Sequence, residues 1–328
     1  MRRVSLAILT TLAVTGCGPS GPTEGQSVDR LPLAPYGDVE TLVRDLYIPG
    51  ADSNAFAAPT SAELASFDGA LDLIDRRAFD EAASRASALG YDLWHLADPR
   101  APALVALVER SAHARGRGTF VLDTGATSTR VVEVPHPLAD AATLEEGAAL
   151  FVGLRAGALL VGGTHRCADL ASTSCLGSEA TNACAGRLRI SDAAHFTESF
   201  FQRAHAALFR LWPDSVAVSL HAHADVAGQP DVIVSAGTRD ALEATAPVNQ
   251  LRDGLRASGL SVASCNATAD PTPRLCGESN VQGRSSNGSS DACLRDAASA
   301  GGRFLHVEQG AAVLVNPSAL AGVLAARL

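Results

Sequence analysis

Lysine is absent from all 328 residues, and every basic side chain is an arginine. That absence removes Schiff-base catalysis, serine–lysine dyads and phosphate loops of the Walker type, each of which needs a primary amine. Basic runs are also missing. With a formal charge of −9, the chain has no electrostatic footprint for nucleic acid, which is therefore not expected as a partner. No two cysteines have the two-residue spacing of a zinc knuckle, so their thiolates are not expected to form a structural metal site. The GxSxG elbow of serine hydrolases is absent, although Ser285 and Ser286 in GRSSNG keep serine chemistry open as a third reading. Internal repeats are not evident.

What is present begins with MRRVSLAILTTLAVTGCGPS, which has a basic start, a short apolar run and a small-residue cleavage site. The run is too short to span a bilayer stably. Val14-Thr15-Gly16-Cys17 resembles the lipobox of bacterial lipoproteins. That resemblance implies a signal peptide over 1–17, lipidation at Cys17 and, with Gly18 following, an outer-membrane anchor in the cell envelope. Residues 18–60 are rich in Pro, Gly, Ser and Asp and are expected to be a flexible tether with one short helix over Val39–Leu46. Residues 61–328 are then the folded body. Six cysteines remain there, Cys167, Cys175, Cys184, Cys265, Cys276 and Cys293, an even set that predicts three disulfides in an exported protein. The pairing stays open, except that Cys265 and Cys276 bracket a loop short enough to close on itself.

In the body, a capping box at Thr60–Glu63 opens helical periodicity over Ala62–Ala88, with a break near Arg76. Leu104–Ala112 reads as a short amphipathic helix. Strands are expected at Thr119–Leu122, Arg130–Val134, Ala158–Gly162, Ser215–Leu220, Asp231–Ser235, Leu260–Ala263 and Arg303–Val307. Helices are expected at Asp140–Arg155, Asp192–Leu211, Pro247–Ser258 and from Pro317 to the end, with loop over Asn266–Asp291. This alternation predicts an α/β fold, a mixed, largely parallel sheet flanked by helices.

In open α/β sheets, polar side chains beyond the carboxyl ends of strands converge on one crevice. His136, His165, His221 and Glu308 all stand at such ends. His136 and Asp140 are four apart across a strand-to-helix corner, close enough to share a divalent ion, and Asp140 also suits a helix N-cap. In HAH, His221 and His223 face the same way along a strand, so either can be a third ligand. Glu308 follows apolar sequence, where a carboxylate fits as a general base beside an activated water.

Together these residues resemble the N-formylglutamate amidohydrolase family. The pattern is EVPH ending at His136, then Asp140 and Thr143, His165-Arg166 with Asp169, a strand-end His221 and a late Val307-Glu308. That family is similar in turn to zinc carboxypeptidases and succinylglutamate-type deacylases, and the match covers about 130–309. The resemblance implies one zinc ion on His136, Asp140 and His221, Glu308 as base, and Arg166 as clamp for a substrate carboxylate or oxyanion. It further implies His165, Asp169, His195 and His223 around the substrate, a small molecule or peptide. Where carboxypeptidases have HxxE this chain has HPLAD, which leaves Glu145 and Glu146 open as the acidic ligand, and Arg187, Arg189 and Arg284 are candidates for a carboxylate grip. The expected activity is cleavage of an amide bond by a lipid-anchored zinc hydrolase. A catalytically inactive binding lipoprotein of the same fold is the alternative.

Overall fold

The computed structural model describes residues 25–177, 183–270, 273–314 and 318–327. Three helices come first, α1 (Val39–Asp45), α2 (Ser61–Asp75) and α3 (Phe79–Ala88), followed by strands β1 (Tyr91–Leu96), β2 (Leu104–Glu109) and β3 (Thr119–Asp123). Then come β4 (Arg130–Val134), α4 (Thr143–Gly153), β5 (Ala158–Val161), α5 (Phe200–Leu211) and β6 (Val216–Ala222). The last part carries β7 (Val232–Ser235), α6 (Pro247–Ala257), β8 (Val262–Ser264), α7 (Val281–Ser286), β9 (Phe304–Gln309), α8 (Ala311–Leu314) and α9 (Ser318–Arg327). Among the described residues the strands form one sheet in the order β1-β2-β3-β5-β4-β6-β9-β7-β8. Its centre, β5-β4-β6-β9, is parallel. On one side β1, β2 and β3 run antiparallel to their neighbours; on the other, β7 is antiparallel to β9 and β8 is parallel to β7. The fold is mixed α/β as expected, but parallel pairing dominates only the centre.

Alternation along each strand sorts the core into two halves. Val132, Val134, Val218, Leu220, Leu305 and Val307 face α1, α4, α6 and α9. Val131, Ala217 and Phe304 face α2, α3 and α5, where Phe67, Phe120 and Phe200 pack together. On this second face the central strands change character along their length. Apolar residues at the start give way to Glu133, Ser219 and His306, then to His221 and Glu308, and the register sets Ser219 beside His306 and His221 beside Glu308. A polar row therefore climbs one face of the sheet toward its carboxyl edge.

Several expectations are corrected. Leu104–Ala112 contains a strand, β2, not a helix: Leu104 to Leu107 are all buried between β1 and β3, so both faces need apolar residues and no strand alternation shows. β1, whose sequence YDLWHL carries polar residues on its outer positions, gave no signal. The helix expected from Asp192 begins only at Phe200, because Ser199 caps it by accepting from Gln202 N–H. The helix expected from Asp140 begins at Thr143. The loop before Asp291 contains α7. Residues 25–60 are not a free tether. Val39 and Leu42 are completely buried, Leu33 bridges to His95, and the amides of Asp52 and Asn54 donate to Cys167 and Ala168 carbonyls. The expected leader over 1–17, its lipidation site Cys17 and the start of the tether lie outside the described residues. The capping box at Thr60 and Glu63 and the short helix near Val39 are present.

The three disulfides are Cys167–Cys184, Cys175–Cys293 and Cys265–Cys276. They tie down the loops beyond the carboxyl edge of the parallel strands.

Candidate metal centre

β4 ends at Val134, and the chain turns at once through Pro135 and His136. The turn closes on itself: Asp140 N–H donates to the His136 carbonyl at 3.0 Å, and the Thr143 hydroxyl donates to the Asp140 carbonyl at 2.7 Å. Ala142 adopts a left-handed conformation at φ 65° to start α4. In a residue other than glycine that conformation costs roughly 1–2 kcal/mol, and here it lets Asp140 lean back over the strand end instead of capping the helix. Asp140 makes no side-chain cap on α4.

Around this turn runs a continuous buried chain of imidazoles and carboxylates. Asp140 Oδ2 accepts from two histidines, His136 Nδ1 at 3.0 Å and His221 Nδ1 at 3.1 Å. The other nitrogen of His136 lies 2.9 Å from Asp192 Oδ1, which also accepts from His195 Nδ1 at 3.0 Å and from the Ala194 amide at 3.1 Å. His195 Nε2 reaches the Ser279 hydroxyl. On the far side, Asn280 Nδ2 lies 3.3 Å from both His221 Nε2 and His306 Nδ1, and His306 Nε2 is 3.3 Å from Glu308 Oε1 without hydrogen-bond alignment. The rings of His221 and His306 are 4.5 Å apart.

The charges on this chain are set by competition between burial and neighbours. Burial alone would lower the pKa of His136, but Asp192 and Asp140 flank it and raise it to about 9. Burial and the charge of His306 push His221 down to about 4, against the pull of Asp140. Both aspartates, whose burial would raise them, are held below the ordinary carboxylate range, Asp140 first by His136 and Asp192 first by His195. Glu308 is likewise held low, because His306 and His221 outweigh its burial. One cationic imidazole thus sits between two anionic carboxylates, beside a neutral one.

The donor set suits a divalent ion. His136, Asp140 and His221 each offer a ligand atom, all within 4.8 Å of one another and all buried, and two imidazoles with one carboxylate are a common catalytic set for zinc. His136, Asp192 and His195 form a second such group. Asp192 Oδ1 already accepts three donors there, which fits a carboxylate that orients His136 rather than one that binds metal. Glu145 is exposed, and Glu146 bonds Gln309 instead, so neither of these joins the group.

The chain of donors opens into a cavity of about 410 Å³ lined by His136, Asp140, Arg166, Asp192, His195, His221, His223 and Glu308. Arg166 is half-buried, and its guanidinium bonds no protein group among the described residues. His223 Nε2 is buried without a partner among the described residues. Two expected substrate residues are not there. His165 does not line the cavity; its Nδ1 accepts from the Cys167 amide two residues on. Asp169 likewise shapes its own turn by accepting from the Ala171 amide. Of the arginines, Arg187 lines the cavity, whereas Arg189 bonds the carbonyls of Leu170 and Cys184 and Arg284 those of Glu278 and Leu176.

His306, Asn280, Ser279 and Asp192 belong to the site and were not assigned roles from sequence. His306 is legible in retrospect, two residues before Glu308 on the same strand face; Ser279 and Asn280 sit in a loop with no periodic signal. A second buried relay lies farther down the sheet. Ser286 Oγ is 2.9 Å from His205 Nε2, and His205 Nδ1 is 2.6 Å from Glu133 Oε1. Its order is that of a serine triad, but His205 and Glu133 are completely buried and Ser286 does not line the cavity. It ties β4, α5 and α7 together.

No family model matches the chain, and no curated protein does. Three solved structures are similar in fold. N-formylglutamate amidohydrolase from Ralstonia eutropha JMP134 is 13% identical with a TM-score of 0.36, the match covering 64% of this chain and 95% of that one. A gene product of Agrobacterium tumefaciens is 12% identical with a TM-score of 0.37, covering 68% and 89%. A bacteriophage poly-gamma-glutamate hydrolase is 16% identical with a TM-score of 0.33, covering 62% and 83%. Scores and identities this low carry no argument about activity.

Proposed function

We propose that the chain is a metal-dependent hydrolase that cuts an amide bond in an acyl amino acid, small peptide or cell-wall fragment. The observation that carries this is the convergence of His136, Asp140 and His221 on one buried point in a cavity that Glu308 and Arg166 also line. These three residues would hold a zinc ion, which when bound supplies Lewis acidity toward a carbonyl and toward water. Glu308 stands beside His221 in the sheet and is ionised, so it takes a proton from the attacking water and returns it to the leaving amine. Arg166, whose guanidinium bonds no protein group among the described residues, holds a carboxylate or the developing oxyanion bidentately. Asp192 fixes the ring of His136, and His195 and His223 bound the substrate space.

The body belongs, in this proposal, to an exported protein lipidated at Cys17 and carried on the outer membrane. Three disulfides support an oxidising compartment. Mass analysis of the mature N-terminus tests this, with Cys17→Ser expected to abolish the lipid.

The function is tested by elemental analysis of the full, disulfide-bonded chain together with an amidase screen over N-acyl amino acids and dipeptides. About one zinc per chain is expected, lost in His136→Ala and in His221→Ala. Glu308→Gln should keep the metal and lower chelator-sensitive turnover by roughly 10²–10⁴-fold. A folded wild type without metal, or full turnover in Glu308→Gln, overturns the mechanism. Metal bound with no turnover across the screen favours a binding protein of the same fold.

A further inference from the structure

A second cleft, of about 300 Å³, shares no lining residue with the first. It opens on the other face of the sheet: in β1, Asp92 pairs with Val108 of β2, which belongs to the core half under α1 and α4, and Trp94 alternates onto the same side. The segment around α1 supplies the opposite wall with Tyr36, Asp45 and Tyr47.

The concentration of aromatic side chains here is the first clue. The whole chain has three tyrosines and two tryptophans, and three of these five meet in this cleft. The other two are engaged elsewhere: Tyr91 is completely buried, and Trp212 Nε1 donates to Asp75. Tyr47 is 67% exposed, so burial in the core does not explain an aromatic residue there.

The second clue is the state of the polar groups. The hydroxyls of Tyr36 and Tyr47, Trp94 Nε1 and the Asp45 carboxylate bond no protein group among the described residues. The Arg110 guanidinium, in contrast, is occupied by Asp92, Ser87 and the Tyr91 carbonyl. An occupant must therefore present flat apolar faces to the rings and both donors and acceptors around its edge. An anion would meet Asp45 and Asp92, with no free cation among the described lining residues to receive it. A purely apolar molecule would leave the hydroxyls and the indole N–H unpaired. A pyranose ring has C–H faces for stacking and a rim of hydroxyls that donate and accept. The volume lies at the lower end of the range for small-molecule sites, about 300–1,000 Å³. We propose that this cleft is a binding site for a short neutral saccharide, independent of the metal centre.

The test is calorimetric titration and saturation-transfer NMR on the full-length chain, kept in a detergent without a sugar headgroup. Cellobiose, maltose and N,N′-diacetylchitobiose serve as probes at millimolar concentrations. Binding of at least one is expected. Tyr47→Ala, at an exposed position that leaves the fold intact, should weaken it roughly tenfold, and Tyr47→Phe should retain the stacking. Trp94→Ala provides a second, independent loss. The proposal is overturned if none of the three disaccharides binds, if affinity is unmoved by both alanine variants, or if His136→Ala and His221→Ala abolish it, which would put the sugar in the first cavity.

Discussion

Glu146 offers the sharpest test of the energetics, because its cost can be worked from its surroundings. It sits in the first turn of α4, 2% exposed, under the sheet face opposite the metal centre. One carboxyl oxygen accepts from Gln309 Nε2 at 2.7 Å; the other, and Gln309 Oε1, are buried with no partner among the described residues. Protonation turns one of those two orphan acceptors into a donor. Burial accordingly raises the carboxyl from 4.5 to about 7, against the opposing bond from Gln309. Below pH 4.5 the group is protonated in both folded and unfolded chains and has no effect. Between 4.5 and about 7 the folded state keeps a proton that the unfolded state releases, so stability falls as pH rises. Above 7 the loss is complete, and at 1.36 kcal/mol per pH unit it amounts to roughly 3 kcal/mol. Glu146→Gln keeps the shape and removes the ionisation. Relative to wild type, it should gain stability steadily from pH 4.5 to 7 and hold a gain of roughly 3 kcal/mol at pH 8, about 6 °C in Tm for a domain of this size. Thermal unfolding by circular dichroism across that pH range, with disulfides intact, measures it. A difference between variant and wild type that does not change with pH would refute the reasoning.

Other expectations follow from the same geometry. Asp192→Asn removes the carboxylate behind His136 and should weaken zinc binding roughly 10–100-fold in competition with a chelating dye, with the far-ultraviolet spectrum unchanged. Gly277 has φ +61°, and a Cβ there would lie 2.6 Å from the His306 ring; Gly277→Ala should cost roughly 1–3 kcal/mol in urea unfolding. Replacing Cys265 and Cys276 together by serine opens a loop of 11 residues and should cost about 2–3 kcal/mol, read as a lower Tm. Because Ser279 and Asn280 lie just beyond that bridge, the same variant should also bind zinc more weakly.

The sequence disclosed the centre of this protein better than its edges. β4, β5, β6 and β9 were legible because short apolar runs bounded by turn residues have few other solutions, and His136, His221 and Glu308 could be placed at their ends for that reason. Asp140 was legible as a partner of His136 because four residues across one corner leave little freedom. The disulfide between Cys265 and Cys276 followed from proximity in the chain. β2 was misread because burial on both faces erases alternation. The segment expected as a tether folds onto the body because a few apolar residues, Val39, Leu42 and Val43, suffice to anchor it once a core exists to receive them.

What local sequence cannot carry is the meeting of residues from distant elements. Asp192 is 56 positions from His136, and Asn280 is 59 from His221; no periodicity links them. His165 and Asp169 looked like site residues at another strand end, yet each turns back to bond an amide two positions away, a choice made by the packing of the disulfide-tied loop around them. The sequence by itself determined the strand ends and the types of side chain placed there. Only the tertiary structure decided which carboxylate faces which imidazole, because that depends on sheet order and on loops held by long-range disulfides.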